Sequence, residues 1–188
     1  MPLAIISPRL FLRPVELADA IPMAALMSPT IAKMQLSWPD ELTFEEARTR
    51  IIESRCAMQQ DHWVDWAVFL KPDLHLIGWL RVGRSDRQDS VLELCYWLGE
   101  AYQQRGFGSE AVAAVIDQGL TGFSANMIEA YCAPPNTASI KLLDRLGFAL
   151  VGRERRYAAA RGRDEDSLRF VRNLRGDESL NAPSMYAA

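Results

Sequence analysis

The sequence predicts an α/β protein, and three observations support this class. Strand-like and helix-like segments follow one another in the order strand, two helices, three strands, helix, strand, helix, two strands. The apolar segment 91–98 leads into a glycine turn, a helix and another strand, which predicts a right-handed crossover between parallel strands. Earlier in the chain, the turn residues Lys71, Pro72 and Asp73 separate two strand patterns and predict a hairpin.

The first half of the chain is predicted to hold a strand, two helices and the hairpin. These elements are expected at 8–13, 17–27, 43–59, 63–70 and 74–82. Thr43 and Glu46 have the spacing of a capping box, which marks the start of the second helix. The segment from Gly83 to Asp89 is polar and rich in turn residues, so we expect a loop there.

The second half is predicted to follow the glycine turn with a helix, a strand, a short helix and two final strands. These elements are expected at 106–120, 126–132, 137–146, 148–156 and 164–174. Gly147 is expected to end the short helix as a C-terminal cap. We expect one domain over residues 1–176, and a mobile tail over residues 177–188.

Composition narrows the class of protein. Nearly half of the 188 residues are apolar, which is enough for a full core, and the net charge of −3 gives no nucleic-acid footprint. No run of about 18 apolar residues predicts a membrane span, and the N-terminal segment lacks the layout of a signal peptide, so we expect a cytoplasmic protein. Three cysteines without metal-ligand spacing are expected to be reduced packing residues, and no metal is expected.

The glycine turn after strand 91–98 predicts an anion site. Backbone N–H groups at a helix start have no partner within the helix, and Gly106 and Gly108 would let a phosphate approach them. The spelling is Q-x-x-G-x-G, beginning at Gln103, and it lacks the pattern of a P-loop. We therefore expect a phosphate-bearing cofactor that is bound by main chain.

A second motif follows this turn and gives the pair a family resemblance. Asn136 and Ser139 begin the segment NTASIKLLDRLGF, which ends at Gly147-Phe148. The two motifs in this order resemble the GNAT superfamily of N-acetyltransferases, and the words ELCYWL and GSEAV look most like its RimJ/RimL-type branch. The resemblance implies a central mixed, mostly antiparallel sheet flanked by helices, with a V-shaped splay between two strands. It also implies acetyl-CoA as the cofactor.

The resemblance assigns roles to residues of both motifs. Main chain at the end of the 91–98 strand would hold the pantetheine arm, and the glycine turn would hold the pyrophosphate. The cofactor-binding residues that it implies are Tyr96, Trp97, Leu98, Gln103, Gln104, Arg105, Gly106, Phe107, Gly108, Ser109, Asn136 and Ser139. Asn136 and Ser139 have an alternative interpretation, since both residue types are favoured at helix starts for local capping.

Glu93 is the candidate general base. It is a carboxylate in an otherwise apolar strand, and such a group is costly unless it is paired or has a function. A buried carboxylate binds protons more tightly than an exposed one, which suits the deprotonation of an ammonium group. In the RimJ/RimL-type branch a glutamate in this strand is a common candidate for that role. The alternative is a structural ion pair, for instance with Arg81.

The proton donor to the leaving thiolate is less well defined. Many members of the superfamily place a tyrosine seven residues after the motif asparagine, and this chain has Leu143 there. Ser139 is therefore the candidate acid, or the thiolate leaves without one, because a thiol with a pKa of about 8.5 is already a fair leaving group.

The residues and the family resemblance together predict an acetyl-CoA-dependent N-acetyltransferase that acts by direct transfer to a primary amine, with a protein N-terminal amine as one candidate acceptor. The alternatives are a small-molecule acetyltransferase acting on aminoglycosides, polyamines or amino acids, and a non-catalytic acyl-CoA-binding module. Dimers are frequent in the branch, so a homodimer is a possible assembly. No nucleic-acid or membrane partner is expected.

Overall fold

A computed structural model describes residues 4–60, 62–120 and 122–174, and for Asp89 it describes the backbone alone. The predicted tail 177–188 lies outside the described residues. The predicted fold class is confirmed: a mixed sheet of eight strands is flanked by helices. The strands are β1 (Ile5–Ile6), β2 (Leu10–Pro14), β3 (Trp63–Leu70), β4 (His75–Ser85), β5 (Gln88–Leu98), β6 (Met127–Cys132), β7 (Ala149–Ala158) and β8 (Arg163–Asn173).

The strand order across the sheet is β1-β2-β3-β4-β5-β6-β8-β7. The pairs are antiparallel except for β5 with β6, which run parallel as the crossover predicts. The helices are α1 (Ala20–Leu26), α2 (Pro29–Ala32), α3 (Phe44–Gln59), α4 (Phe107–Ala114) and α5 (Thr137–Arg145), with 3₁₀ turns at Leu17–Asp19 and Glu100–Tyr102 and a π-helical turn at Val115–Gly119.

Most element predictions are confirmed within two or three residues, and the loop predicted at 83–89 is wrong. β4 continues to Ser85 and β5 begins at Gln88, so most of this segment belongs to the two strands of a second hairpin, β4–β5. Its polar composition had suggested a loop. Gly83 lies inside β4 because β3 packs against it: an added Cβ would be 2.3 Å from Cβ of Trp63. The capping box at Thr43 and Glu46 is present at the start of α3.

Two apolar clusters cover the two faces of the sheet. Leu92 and Leu94 of β5 pack with α4 and α5 in the larger cluster, whereas Trp97 of the same strand packs with α1, α2 and α3 in the other. The faces alternate because successive side chains of a strand point to opposite sides. β5 is therefore a central strand whose two faces meet different layers of helices.

The feature that positions the site is the splay between β5 and β6. Their pairing runs from Val91–Met127 to Leu94–Ala130 and ends there, although β5 continues to Leu98 and β6 to Cys132. Beyond Leu94 the two strands diverge, and the edge of β5 that faces β6 lacks a ladder partner within the described part of the chain. The V-shaped opening implied by the family resemblance is thus present.

Candidate active site

A cavity of about 590 Å³ lies where β5 and β6 diverge. Its wall contains all of the predicted cofactor-binding residues except Arg105 and Phe107. These wall residues are Tyr96, Trp97, Leu98, Gln103, Gln104, Gly106, Gly108, Ser109, Asn136 and Ser139. The two motifs, separated along the chain by a helix and a strand, therefore meet in one cavity.

The ladder register shows which main-chain groups of β5 face this cavity. The N–H of Gly99 donates to Ile77 O of β4, and residues directly opposite each other in an antiparallel ladder alternate in bonding. Trp97 has the same parity as Gly99, so its N–H and C=O are directed to β4. Tyr96 and Leu98 have the opposite parity, and their N–H groups are directed to the gap. The structure thus narrows the predicted main-chain contact from three residues to these two.

The carbonyl groups of the same two residues already have side-chain partners. Gln35 Nε2 donates to Tyr96 O at 3.1 Å, and Gln103 Nε2 donates to Leu98 O at 2.9 Å. The second bond ties the glycine turn to the end of β5. This gives Gln103 of the motif a structural task, and it leaves the two N–H groups as the donors that the strand offers to a ligand.

The glycine turn has the backbone geometry that the motif predicts at one of its two glycines. Gly106 is the N-cap of α4 and has φ of +81°, in the left-handed region that favours glycine. Gly108 has another role: an added Cβ would be 3.0 Å from Cδ1 of Leu142, so its lack of a side chain lets α4 pack on α5. The first turn of α4 directs unpaired N–H groups toward the cavity, as an anion site requires.

Arg105 and Phe107 do not line the cavity, although both were predicted among the cofactor-binding residues. The Phe107 ring is buried in the core, with the guanidinium of Arg105 at 5.0 Å and that of Arg9 at 4.5 Å from its centroid. Phe107 can contribute only its main chain to a ligand. The cationic side chains on the cavity wall are Lys141 and Arg145 of α5. Their spacing of one helical turn on a short helix was the signal that sequence reasoning missed.

Asn136 acts as the N-cap of α5. Its side-chain Oδ1 accepts a hydrogen bond from the N–H of Ser139 at 3.1 Å. The capping interpretation of Asn136 is therefore confirmed, and its position in the cavity wall is compatible with a second role. Leu143, at the position of the superfamily's tyrosine, is fully buried in the core.

The hydroxyl group that sequence analysis did not anticipate belongs to Tyr96. Its Oη lies 2.6 Å from Oγ of Ser139, and either atom could be the donor. Both side chains are partly buried in the cavity wall. Burial raises the pKa of Tyr96 above that of an ordinary tyrosine, and the hydrogen bond with Ser139 opposes this only in part. The phenol therefore stays protonated at neutral pH.

Glu93 lies outside the cavity wall, on the opposite face of β5 from Tyr96. Its carboxylate pairs with Arg156 of β7, and the Cys95 thiol is 3.7 Å away. The predicted alternative partner Arg81 is wrong, because Arg81 makes its ion pair with Asp65 of β3. In the ladder between β4 and β5, Arg81 stands opposite Cys95, whereas Glu93, two residues earlier, stands opposite Gly83.

A second carboxylate on this face, Glu129, escaped the sequence analysis. It is fully buried in β6, directly across the parallel pair from Glu93. Ser85, Tyr131 and Arg169 donate hydrogen bonds to it. Burial alone would raise the pKa of Glu129, but these bonds outweigh it and the pKa lies below its ordinary value. With all of these partners, Glu129 is a structural anion.

The segment between α2 and α3 covers the end of β5. Arg161, at the tip of the β7–β8 hairpin, donates to the carbonyls of Ala32 and Gln35 at 3.1 and 2.8 Å. Gln35 in turn donates to Tyr96 O, and Met34 and Gln35 of this segment line the cavity together with Thr30 and Ile31 of α2. The segment and the hairpin tip therefore form a roof over the end of β5.

The cysteines are unpaired with one another, and two of the three lie in strands of the sheet. Cys56, Cys95 and Cys132 are free thiols. Burial raises the pKa of Cys95 and of Cys132 to about 12, so neither is a thiolate at neutral pH. Within residues 4–60, 62–120 and 122–174 no group of three or more potential ligand residues could hold a metal ion. None of the described helices is long and apolar enough to cross a membrane.

Comparison with known proteins agrees with this geometry. Residues 9–149 match the family model described as an acetyltransferase (GNAT) domain. An uncharacterized N-acetyltransferase, p20 of Bacillus licheniformis, is 32% identical over 162 residues, which cover 86% of this chain and 91% of that protein. The ribosomal-protein-serine acetyltransferase of Escherichia coli K12 is 26% identical over 123 residues, covering 65% of this chain and 68% of that protein.

Among solved structures, RimL, a ribosomal L7/L12 alpha-N-protein acetyltransferase in complex with coenzyme A, superimposes with a TM-score of 0.79. The match covers 93% of this chain and 99% of RimL at 20% sequence identity, and it establishes the shared fold. The family match and the p20 relative go further. This chain belongs to the GNAT family of acetyltransferases and is an N-acetyltransferase enzyme.

Proposed function

We propose that this chain transfers the acetyl group of acetyl-CoA directly to a primary amine, and that the acceptor is the N-terminal amine of a protein. One observation carries the proposal: the gap between β5 and β6 is continuous with the glycine turn in a single cavity. A phosphate group and an extended amide-bearing arm could therefore bind together, the first at the start of α4 and the second along the open edge of β5.

The cofactor would bind through main chain and the residues of α5. The N–H groups at the start of α4 would receive the pyrophosphate, with Lys141 and Arg145 adding positive charge nearby. The N–H groups of Tyr96 and Leu98 would pair with the pantetheine arm or polarise the thioester carbonyl, since β6 no longer occupies them. Acetyl-CoA supplies the activated acetyl group, and this chain supplies its orientation.

The amine would approach from the other face of β5. Glu93 and Cys95 lie on that face, and the thioester held in the gap would be open to both faces. The amine nitrogen attacks the thioester carbonyl carbon, the C–N bond forms, and the C–S bond breaks with its electron pair leaving on sulfur. Before the attack, Glu93, directly or through water, takes one proton from the substrate ammonium group and so frees the nitrogen lone pair. The second proton leaves the nitrogen to solvent after the C–N bond has formed. Holding the two reactants in line would supply much of the acceleration.

The choice of a protein N-terminus rests on similarity. The ribosomal-protein-serine acetyltransferase and RimL act on ribosomal proteins according to their names, and both resemble this chain over much of its length.

The test has two stages. Calorimetry with purified protein should detect binding of acetyl-CoA, and a thiol-release assay should then show turnover with peptides beginning in serine or alanine. Peptides with acetylated N-termini are the matched control and should release no thiol. Failure to bind acetyl-CoA rejects the proposal. Binding without thiol release across all amines favours a non-catalytic module, and faster release with aminoglycosides, polyamines or amino acids rejects the protein acceptor.

A further inference from the structure

The site contains a phenol whose function the reaction above leaves unassigned. Tyr96 lies on the face of β5 that meets α5, and its Oη and the Oγ of Ser139 are 2.6 Å apart. Both residues line the cavity where the two strands diverge. The two residues are 43 positions apart in sequence, so the pair exists only because the crossover brings α5 against β5.

The direction of this hydrogen bond decides what Ser139 can do. Either oxygen could be the donor, but a phenol is more acidic than an aliphatic hydroxyl and is the better donor, so the favoured arrangement has Tyr96 donating to Oγ of Ser139. The Ser139 side-chain hydrogen is then directed away from Tyr96 and toward the cavity. The backbone of Ser139 is fixed as well, since its N–H is bonded to Oδ1 of Asn136.

We propose that Tyr96 is a positioning residue that orients the Ser139 hydroxyl as a hydrogen-bond donor to the coenzyme A sulfur while the thiolate leaves. The inference rests on the proposed function, because it requires the thioester to lie in the same cavity. When the C–S bond breaks, the electron pair on sulfur accepts the Ser139 hydrogen bond. Neither hydroxyl ionises, and the thiolate takes its proton from solvent.

This division of labour fits the acidities involved. A free thiol has a pKa of about 8.5, so the thiolate is a weaker base than either hydroxylate and does not need full proton transfer. Burial raises the pKa of Tyr96, which keeps the phenol in its donor form across the working range. The Ser139 hydroxyl, oriented by Tyr96 of β5, thus takes the place of the hydroxyl that Leu143 lacks on the same helix.

The experiment compares the binding of coenzyme A with that of desulfo-coenzyme A, which lacks the sulfur atom. Calorimetry from pH 7 to pH 9.5 should show the wild-type preference for coenzyme A growing as its thiol ionises, because the site donates a hydrogen bond to the thiolate. Tyr96→Phe and Ser139→Ala should each reduce this preference roughly tenfold at pH 9.5, the effect of a hydrogen bond to a charged group. The double variant should lose no more than either single variant.

Control measurements separate this role from a structural one. Tyr102→Phe removes a phenol hydroxyl outside the cavity wall and should keep the wild-type preference. Thermal unfolding of each variant reports on folding, and desulfo-coenzyme A affinity should be unchanged in Tyr96→Phe. A wild-type preference in folded Tyr96→Phe overturns the inference while the proposed function stands. Absence of binding of either ligand to the wild-type protein overturns both.

Discussion

The carboxylate of Glu93 is bound by both terminal nitrogens of Arg156, with Nη1 3.2 Å from Oε1 and Nη2 3.2 Å from Oε2. Arg156 belongs to the edge strand β7, so its side chain reaches over β8 and β6 to meet β5. Its guanidinium also lies 3.8 Å from the ring centroid of Tyr131. A cation thus already occupies the place where Glu93 would receive a substrate ammonium, and the amine must bind beside Arg156 or displace it.

If Glu93 is the base, Glu93→Gln should lower turnover about 100-fold at pH 7, the usual contribution of general-base catalysis. The deficit should shrink toward pH 9.5, because a protein N-terminal amine with a pKa of about 8 then loses its proton without help. The Michaelis constant for acetyl-CoA should change little, since Glu93 lies outside the cavity wall. Thiol release from acetyl-CoA with a serine-initiated peptide, followed across this pH range, measures all three quantities.

The matched control is Glu154→Gln. Glu154 pairs with Arg87, and its side chain is 26% exposed, against 25% for Glu93. It should lose an ion pair without loss of turnover. Equal slowing by the two substitutions, or a Glu93→Gln deficit that stays constant with pH, would show that Glu93 serves the structure and that another group takes the proton.

Gln103 should support cofactor binding indirectly, through its hydrogen bond to the main chain of β5 and without contacting the cofactor itself. Its Nε2 holds Leu98 O at 2.9 Å and so fixes the glycine turn against β5. Gln103→Ala should weaken acetyl-CoA binding roughly fivefold, the value of about one hydrogen bond, with turnover at saturation preserved. Gln118→Ala is the control, because Gln118 Nε2 donates to Ile6 O away from the cavity. Calorimetry that finds no difference between the two variants would contradict this role.

The fold was predictable because its signals are local. The capping box at Thr43 and Glu46, the turn at Lys71 to Asp73 and the left-handed Gly106 each require particular residues within four positions. The segment 83–89 was misjudged because strand β3 supplies the reason for Gly83, and that reason lies about 20 residues earlier in the chain. The sequence near a glycine does not show whether it lies in a turn or in a strand that packs closely against another strand, because the second case depends on a distant part of the chain.

The part of the site that consists of main-chain groups in sequence motifs was predictable. The contacts between side chains that are distant in sequence were not. Glu93 was identified by its apolar surroundings, but its partner Arg156 lies 63 positions later, on the far edge of the sheet. Arg81 was the ion-pair partner suggested for Glu93, but Arg81 stands opposite Cys95 in the ladder and forms its ion pair with Asp65. Tyr96 was predicted to act through its main chain, because nothing near it in sequence shows that Ser139 is within hydrogen-bond distance of its hydroxyl.

The buried anion Glu129 gives the stability of this protein a dependence on acid. Its folded pKa lies below the ordinary value, since the bonds from Ser85, Arg169 and Tyr131 outweigh the opposing effect of burial. A carboxyl group of this kind stabilises the folded state above its unfolded pKa of about 4.3, and the contribution is lost as the pH falls through the folded pKa. Glu129 has no exposed surface, so solvent screens these interactions little.

Glu129→Gln should therefore lower the free energy of unfolding by about 2 kcal/mol at pH 7, the value of a hydrogen bond to a charged group, because the Arg169 side chain left behind is partly exposed to solvent. The difference from wild type should begin to narrow below about pH 4.3, where the carboxyl group takes up a proton in the unfolded chain, and should be lost once the pH falls through the lower folded pKa. Urea unfolding followed by circular dichroism at several pH values between 3 and 7 measures both effects. Glu41→Gln, at an exposed position, should follow the wild-type curve throughout. Parallel curves for Glu129→Gln and wild type across this range would mean that Arg169 and the two hydroxyls do not hold a charged carboxylate.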